Sequence, residues 1–268
     1  NDRLQQQGST AYTYDDNGST LTETLDGNAI TYAYNAKNQL IGRDDGLVSS
    51  AYAYNPDGIR VEKVEDGVTT RYLVDSNQDY AQVLAELEGN VLTAAYTYGD
   101  DLVSQTRGTD TSFYHYDGLG SVRGLSDGTG SLNNTYDYEA FGQLLNQTGT
   151  TENSYRFTGE QFDESLNQYY FRARYYNQSV GRFTQQDTFQ GFSHDPISLH
   201  KYLYANSDPV HFTDPTGKFS LGSIGTAFNI AGRLATTSVR AVGSSALRFA
   251  QATIRLGKKT VVAGRTII

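Results

Sequence analysis

The sequence predicts an all-β protein. Three observations carry this: 21 Tyr and 12 Phe with no Trp, Met or Cys, 27 Gly against 4 Pro, and a Tyr-x-Tyr motif that returns at a nearly fixed interval. Aromatic residues favour pleated, half-buried surfaces, and glycine supplies the turns between them. At 268 residues the chain is long enough for a sizeable core or for two domains. Without cysteine there is no disulfide, no thiolate metal site and no cysteine nucleophile, so packing and hydrogen bonds must hold the fold.

The motif first appears as Tyr12-Thr13-Tyr14-Asp15 and returns as Tyr32-Ala33-Tyr34-Asn35 and Tyr52-Ala53-Tyr54-Asn55, in steps of 20 residues. Looser copies are Tyr96-Thr97-Tyr98-Gly99, Tyr114-His115-Tyr116-Asp117 and Tyr136-Asp137-Tyr138-Glu139, the last two 22 residues apart. A fixed period near this length marks a stacked or spiralling repeat. Side chains alternate across a strand, so both rings of each pair share one face. Between the pairs stand Asn17-Gly18, Asp26-Gly27, Asp45-Gly46, Asp57-Gly58, Asp66-Gly67, Asp117-Gly118 and Asp127-Gly128. These dipeptides tolerate the positive φ of tight primed turns, so each repeat is expected to form one or two hairpins. An ordinary antiparallel β domain stays open, although six copies of one pattern weigh against it. Gly118-Leu119-Gly120 and Gly128-Thr129-Gly130 lack a following helix and are expected to be turns, not phosphate loops. His115, His194, His200 and His211 show no metal-ligand spacing, so neither a metal nor another cofactor is expected.

Charge divides the chain at Phe219. All 30 acidic residues precede it, with 14 of the 21 Lys/Arg, for a net of −16, while the last 50 residues hold 7 basic side chains and no acid. Tyr and Pro also vanish there. Arg233, Arg240, Arg248 and Arg255 recur at steps of 7, 8 and 7, which keeps them on one helical arc. Gly232, Gly243 and β-branched residues weaken that helix, so a short, broken α-helical basic tail is expected. Such a tail suits an anionic membrane surface or an acidic wall. It carries no catalytic set and resembles the start of a larger piece. No apolar run approaches the ~18 residues that span a bilayer, and the first residues lack a signal-peptide pattern. Asn1 opens partway into a repeat without an initiator Met, as in a fragment or a processed piece.

The Tyr-Asp/Asn repeats resemble the YD repeats of Rhs proteins, of the C components of insecticidal Tc toxins and of teneurins. Tyr116-Asp-Gly-Leu-Gly-Ser-Val-Arg123 and Tyr138-Glu-Ala-Phe-Gly142 resemble the approach to the Rhs repeat-associated core. Phe157-Thr-Gly-Glu160, Tyr169-Tyr-Phe-Arg-Ala-Arg-Tyr-Tyr176, Gly181-Arg-Phe183, Tyr202-Leu-Tyr-Ala-Asn206 and Asp214-Pro-Thr-Gly217 match that core. The resemblance spans about residues 1–218. It implies a β-hairpin spiral closing into a cocoon-like shell, with a core that plugs one end and cuts the chain just past Asp-Pro-x-Gly. The expected division is 1–145 repeats, 146–218 core with self-cleavage site, and 219–268 the start of a C-terminal cargo or toxin.

Peptide hydrolysis needs a base to activate water and an acid for the leaving nitrogen. Two neighbouring carboxylates sharing one proton supply both. The resemblance assigns those roles to Asp187, after Gly181-Arg-Phe183, and to Asp214. It gives Arg174, 13 residues before Asp187, a supporting role. A permanent guanidinium charge can orient a carboxylate or stabilise an oxyanion. The bond so marked is Lys218–Phe219. This chain departs from the family pattern in having Lys218 where an aliphatic residue is more usual, and Thr188 where a second Asp-Pro would place proline. Blander readings stay open: Asp214 as a turn starter before Pro215, Asp187 as a loop cap, Arg174 as a residue stacked on rings. Asp195 and Asp208 also precede prolines and are the decoys.

The resemblance implies a shell that frees a packaged toxin, an enzyme only in a single-turnover, self-directed sense. Expected partners are its own cargo segment, upstream repeats or other chains completing the shell, a delivery apparatus and an immunity protein, with no nucleic acid for the shell itself. Secretion or delivery from a bacterial cell is expected. The alternatives are an adhesion or glycan-binding β surface and a structural carrier of a membrane-active tail.

Overall fold

The computed structural model describes residues 2–78, 80–218 and 221–222. Residues 1–221 form one compact unit. The expected broken helices of the basic tail, and Phe219 itself, lie outside the described residues.

Among the described residues, fifteen strands form one antiparallel sheet in strict chain order. They are β1 (Gln6–Gln7), β2 (Thr10–Tyr14), β3 (Thr20–Leu25), β4 (Asn28–Tyr34), β5 (Leu40–Asp44), β6 (Ser49–Tyr54), β7 (Arg60–Glu65), β8 (Val68–Asp75), β9 (Gln82–Glu88), β10 (Val91–Tyr98), β11 (Leu102–Arg107), β12 (Asp110–Tyr116), β13 (Val122–Ser126), β14 (Leu132–Tyr138) and β15 (Leu144–Thr148). Each repeat is therefore a pair of strands, and the even-numbered strands from β2 carry the tyrosines. The first ring of every Tyr-x-Tyr pair is buried, from Tyr12 at 9% exposed to Tyr136 at 1%. The second is half-buried on the same face, and the residue between them points outward, as the alternation requires.

A feature absent from the sequence reading recurs in every copy. The pairing register slips by one residue just before the second tyrosine, between Thr13 and Tyr14, Ala33 and Tyr34, Ala53 and Tyr54, and likewise in β10, β12 and β14. A bulge bends a strand and increases its twist, so a bulge per repeat gives the sheet a regular coil. The same slip falls between Leu73 and Val74 in β8, where Tyr72 is buried. Tyr72-Leu73-Val74-Asp75 is thus a seventh copy, hidden because Val74 replaces the second tyrosine. In two copies the second ring clasps the strand before it: Tyr54 and Tyr116 each donate their hydroxyl to a carbonyl, Leu40 O and Leu102 O, at 2.6 Å.

Where Asp or Asn follows the pair, its side chain shapes the turn. Asp117 Oδ1 accepts hydrogen bonds from the amides of Leu119 and Ser121, both at 3.0 Å, and Asn35 and Asn55 cap their turns in the same way. Asp26-Gly27 and Asp66-Gly67 form the expected two-residue turns with both φ angles positive. At Asp117-Gly118 and Asp127-Gly128 the expectation needs correcting, because the positive φ belongs to Gly120 and Gly130 and the turns are longer.

The core motifs build a second, four-stranded antiparallel sheet: β16 (Gln161–Asp163), β17 (Gln168–Phe171), β18 (Arg174–Asn177) and β19 (Arg182–Phe183). Every residue of β17 and β18 is buried. Tyr170, Tyr175 and Leu166 pack on Tyr32, Leu40 and Tyr52 of the repeats, while Tyr155 packs beside Tyr96, Tyr114 and Tyr136. Behind them Phe157, Tyr169, Phe171, Tyr176, Phe183 and Tyr204 form an aromatic cluster, with Tyr176 and Tyr204 centroids 4.5 Å apart. Offset and edge-on ring pairs of this kind add about 0.5–1.5 kcal/mol each beyond area burial. A buried ion pair joins the two sheets. Arg60, 2% exposed on β7, reaches Asp163 Oδ2 at 2.7 Å, Gln161 Oε1 at 2.8 Å and Tyr175 OH at 2.9 Å.

Candidate functional site

Arg174 opens β18, where strand alternation places Tyr175 on the opposite face against the repeats and leaves the arginine facing the chain's later loops. It is 4% exposed, and its guanidinium lies 3.7 Å from the Phe183 ring centroid. The expected stacking is therefore real, but it is one face of a larger arrangement. Arg174 Nη2 contacts Asp187 Oδ2 at 2.7 Å and Asp214 Oδ2 at 3.3 Å, so one nitrogen gathers both carboxylates. Nη1 donates to the Lys201 carbonyl at 3.2 Å, and Nε donates to the Gly217 carbonyl.

Two local devices fix the carboxylates. The Asp187 amide donates to Lys201 O at 2.9 Å, extending the contact of Phe183 N with Tyr202 O at 3.0 Å, and Asp187 Oδ1 accepts from Phe189 N at 2.8 Å. Asp214, 1% exposed, heads a turn closed by Gly217 N on Asp214 O at 3.1 Å. Its Oδ1 accepts from the Lys218 amide at 3.0 Å and from Thr216 Oγ1 at 3.3 Å. Turn starter and site residue are thus compatible roles for Asp214. Gly217 has φ +65°, and a Cβ there would stand 2.4 Å from Phe171 O, so only glycine fits.

Burial dominates the electrostatics. It pushes the Asp187 carboxyl above its ordinary range, against the pull of Arg174, the Phe189 amide, Lys201 and Lys218. Burial likewise draws the Arg174 guanidinium down, with Asp187 and Asp214 opposing. Burial thus opposes the charged form of each group, and their mutual attraction works against it. A cleft of about 590 Å³ opens beside Arg174, Asp187, Gly217 and Lys218, with Asp57 and Lys37 of the repeat turns on its far side.

The sequence-derived residues Arg174, Asp187, Asp214 and Lys218 therefore converge. Phe219, the other side of the marked bond, lies outside the described residues. The decoys stand elsewhere: Asp195 precedes a 3-10 turn at Pro196–Leu199, and Asp208 pairs with His211 at 2.9 Å on the surface. Among the described residues no three His, Asp or Glu side chains are grouped to hold a metal ion. Sequence reasoning missed Lys201, whose carbonyl ties Arg174 and Asp187 together, because a backbone atom leaves no residue-type signal. It also gave no role to Arg172 or Glu160, although both sit in the motifs quoted for the resemblance.

A tyrosine-repeat sheet packed against a small buried sheet and followed by a carboxylate-bearing turn defines a YD-repeat shell with its repeat-associated core. The family description that matches residues 1–210 is Teneurin YD-shell, and the chain belongs to that family. The tRNA3(Ser)-specific nuclease WapA of Bacillus spizizenii is 35% identical over 213 residues, which is 76% of this chain and 9% of that protein. Toxin protein Tse5 of Pseudomonas aeruginosa is 33% identical over 106 residues, covering 40% of this chain and 8% of Tse5. The chain thus spans less than a tenth of the length of either relative. The crystal structure of TcdB2-TccC3 shares the fold, with a TM-score of 0.54 over 78% of this chain and 13% of that one at 16% identity.

Proposed function

We propose that the chain is the C-terminal part of an encapsulating shell that cuts itself between Lys218 and Phe219 to free a packaged toxin. The carrying observation is the single Arg174 nitrogen shared by Asp187 and Asp214, with Asp214 also holding the Lys218 amide. That hydrogen bond fixes the residue whose carbonyl is attacked, which is the positioning hydrolysis requires. Water from the adjoining cleft adds to the Lys218 carbonyl carbon, and its proton passes to the Asp214 carboxylate. Asp187, raised by burial, gives a proton to the Phe219 nitrogen as the C–N bond breaks. Arg174 holds the pair in register and offsets the charge that develops.

In this reading residues 1–145 are shell, 146–218 are the cutting core and 219–268 begin the cargo. The relatives' names, a tRNA nuclease and a toxin protein, support toxin carriage. The shell's net −16 would retain the +7 segment after the cut, so release would need the shell to open. Delivery from the producing cell, upstream repeats completing the wall and an immunity protein for the toxin belong to the same proposal. Intact-mass measurement tests the chemistry: the wild-type chain should separate into 1–218 and 219–268, while Asp187→Asn and Asp214→Asn should remain whole. Cleavage by both variants at the wild-type rate would refute it.

A further inference from the structure

Arg172 occupies the turn between β17 and β18 with φ +55°, a left-handed conformation that disfavours any side chain but glycine's hydrogen. Backbone strain of this kind persists where surrounding contacts over-determine it. Here they do. Arg172 Nη1 lies 2.8 Å from both Glu160 oxygens and donates to the Pro215 carbonyl at 2.6 Å. Nε donates to Ala81 O at 3.3 Å, and the guanidinium sits 5.5 Å from the Tyr80 ring centroid. Glu160 is 5% exposed, and its backbone is pinned by Arg156 N on Glu160 O at 3.0 Å and by its own amide on Phe157 O at 3.0 Å. One side chain therefore joins the loop before β9, the Phe157–Glu160 turn and the Asp214–Gly217 turn.

The neighbouring residues continue the grip. Ala173 N donates to Thr216 O at 3.4 Å, and Arg174 Nε donates to Gly217 O. Residues 172, 173 and 174 thus hold the carbonyls of 215, 216 and 217 in order, immediately before the residue whose amide Asp214 holds.

We propose that Glu160 and Arg172 are positioning residues for self-cleavage, clamping the Pro215 carbonyl so that the turn delivers the bond after Lys218 to the Asp187–Asp214 pair. This rests on the self-cleavage reading and adds to it an assembly check, since the clamp closes only when the repeat loop, the core turn and the cleavage turn have met. Both Glu160 oxygens meet the single Arg172 nitrogen, Nη1, that also holds the Pro215 carbonyl, so the carboxylate anchors the group that grips the turn.

The test uses the full 268-residue chain made by cell-free synthesis, quenched at intervals and read by intact mass. Arg172→Gly alone would strand the buried Glu160 carboxylate. The double variant Glu160→Gln/Arg172→Gly instead removes both charges and relieves the positive φ. It should keep its far-UV circular dichroism and melting temperature close to those of uncut Asp214→Asn chain, yet cleave about 10–100-fold more slowly, as small misplacements of reacting groups do. Arg172→Lys, which keeps a cation within reach of Glu160 and Pro215 O, should recover part of the rate. Wild-type speed in the double variant overturns the clamp while leaving self-cleavage intact, and so does a rate that falls only in step with lost folded signal. A wild-type chain that stays whole removes self-cleavage itself, and the clamp with it.

Discussion

Replacing Arg60 by methionine should undock the core sheet from the repeats. Arg60 is 2% exposed, and its partner Asp163 has a side chain only 1% exposed, so the substitution strands a carboxylate where water cannot reach it. Losing one partner of a buried pair costs about 3–5 kcal/mol. Asp163 keeps Ser165 Oγ at 3.1 Å and Lys63 Nζ at 3.5 Å, which argues for the lower end of that range. Gln161 Oε1 and Tyr175 OH also lose their partner, and the guanidinium no longer fills the space 4.6 Å from the Tyr170 ring centroid. The expected loss is about 3 kcal/mol, a large share of the ~5–15 kcal/mol by which domains are stable. Urea unfolding of the Asp214→Asn chain, with and without Arg60→Met, reads this directly. With a slope of about 3 kcal/mol/M, the midpoint should fall by about 1 M. Asp163→Asn added to Arg60→Met should restore part of the loss, because it removes the stranded charge. A midpoint unchanged within error after Arg60→Met alone would refute the claim that this pair docks the core.

Three other outcomes are expected. Gly217→Ala forces a Cβ to within 2.4 Å of Phe171 O at a positive φ; it should slow self-cleavage and cost about 2 kcal/mol, a melting fall of about 4–8 °C, and a variant that cuts and melts like the parent would contradict the turn geometry. Asp187 has its carboxyl raised above its ordinary value by burial, so its contribution to stability is full below that value and is lost as pH rises through the raised one. Asp187→Asn should therefore gain stability relative to its parent between acid and neutral pH, and stability–pH curves that stay parallel would show that burial does not dominate there. After cleavage, the acidic shell and the 50-residue basic segment should co-elute at low salt and separate at high salt, and equal separation at both would exclude electrostatic retention.

The fold was legible because its period is written in side chains that must face inward. Tyr-x-Tyr followed by Asp or Asn specifies ring, outward residue, ring and turn cap, so strand, face and turn can be read together. The Tyr72 copy escaped because Val74 fills the second ring's place while the bulge, a backbone feature, persists. Asp-Gly by itself favours a two-residue turn, whereas Asp117 and Asp127 each cap a longer one. At the site, Asp187, Asp214 and Arg174 could be named from their motifs, but not their meeting on one nitrogen. That depends on pairings made by the Lys201 carbonyl and Phe183, far along the chain. Glu160 and Arg172 lay in view within the same motifs. Their part becomes visible only when the Pro215 carbonyl is seen between them.

Self-cleavage is tested most directly by the mass and N-terminal sequence of the C-terminal fragment from the purified wild-type chain, held at neutral pH with protease inhibitors. The expected fragment begins at Phe219 and is absent from Asp187→Asn and Asp214→Asn chains. A chain that remains whole, or a fragment that begins at Pro215 through the acid-labile Asp214–Pro215 bond and forms equally in Asp187→Asn, would contradict it.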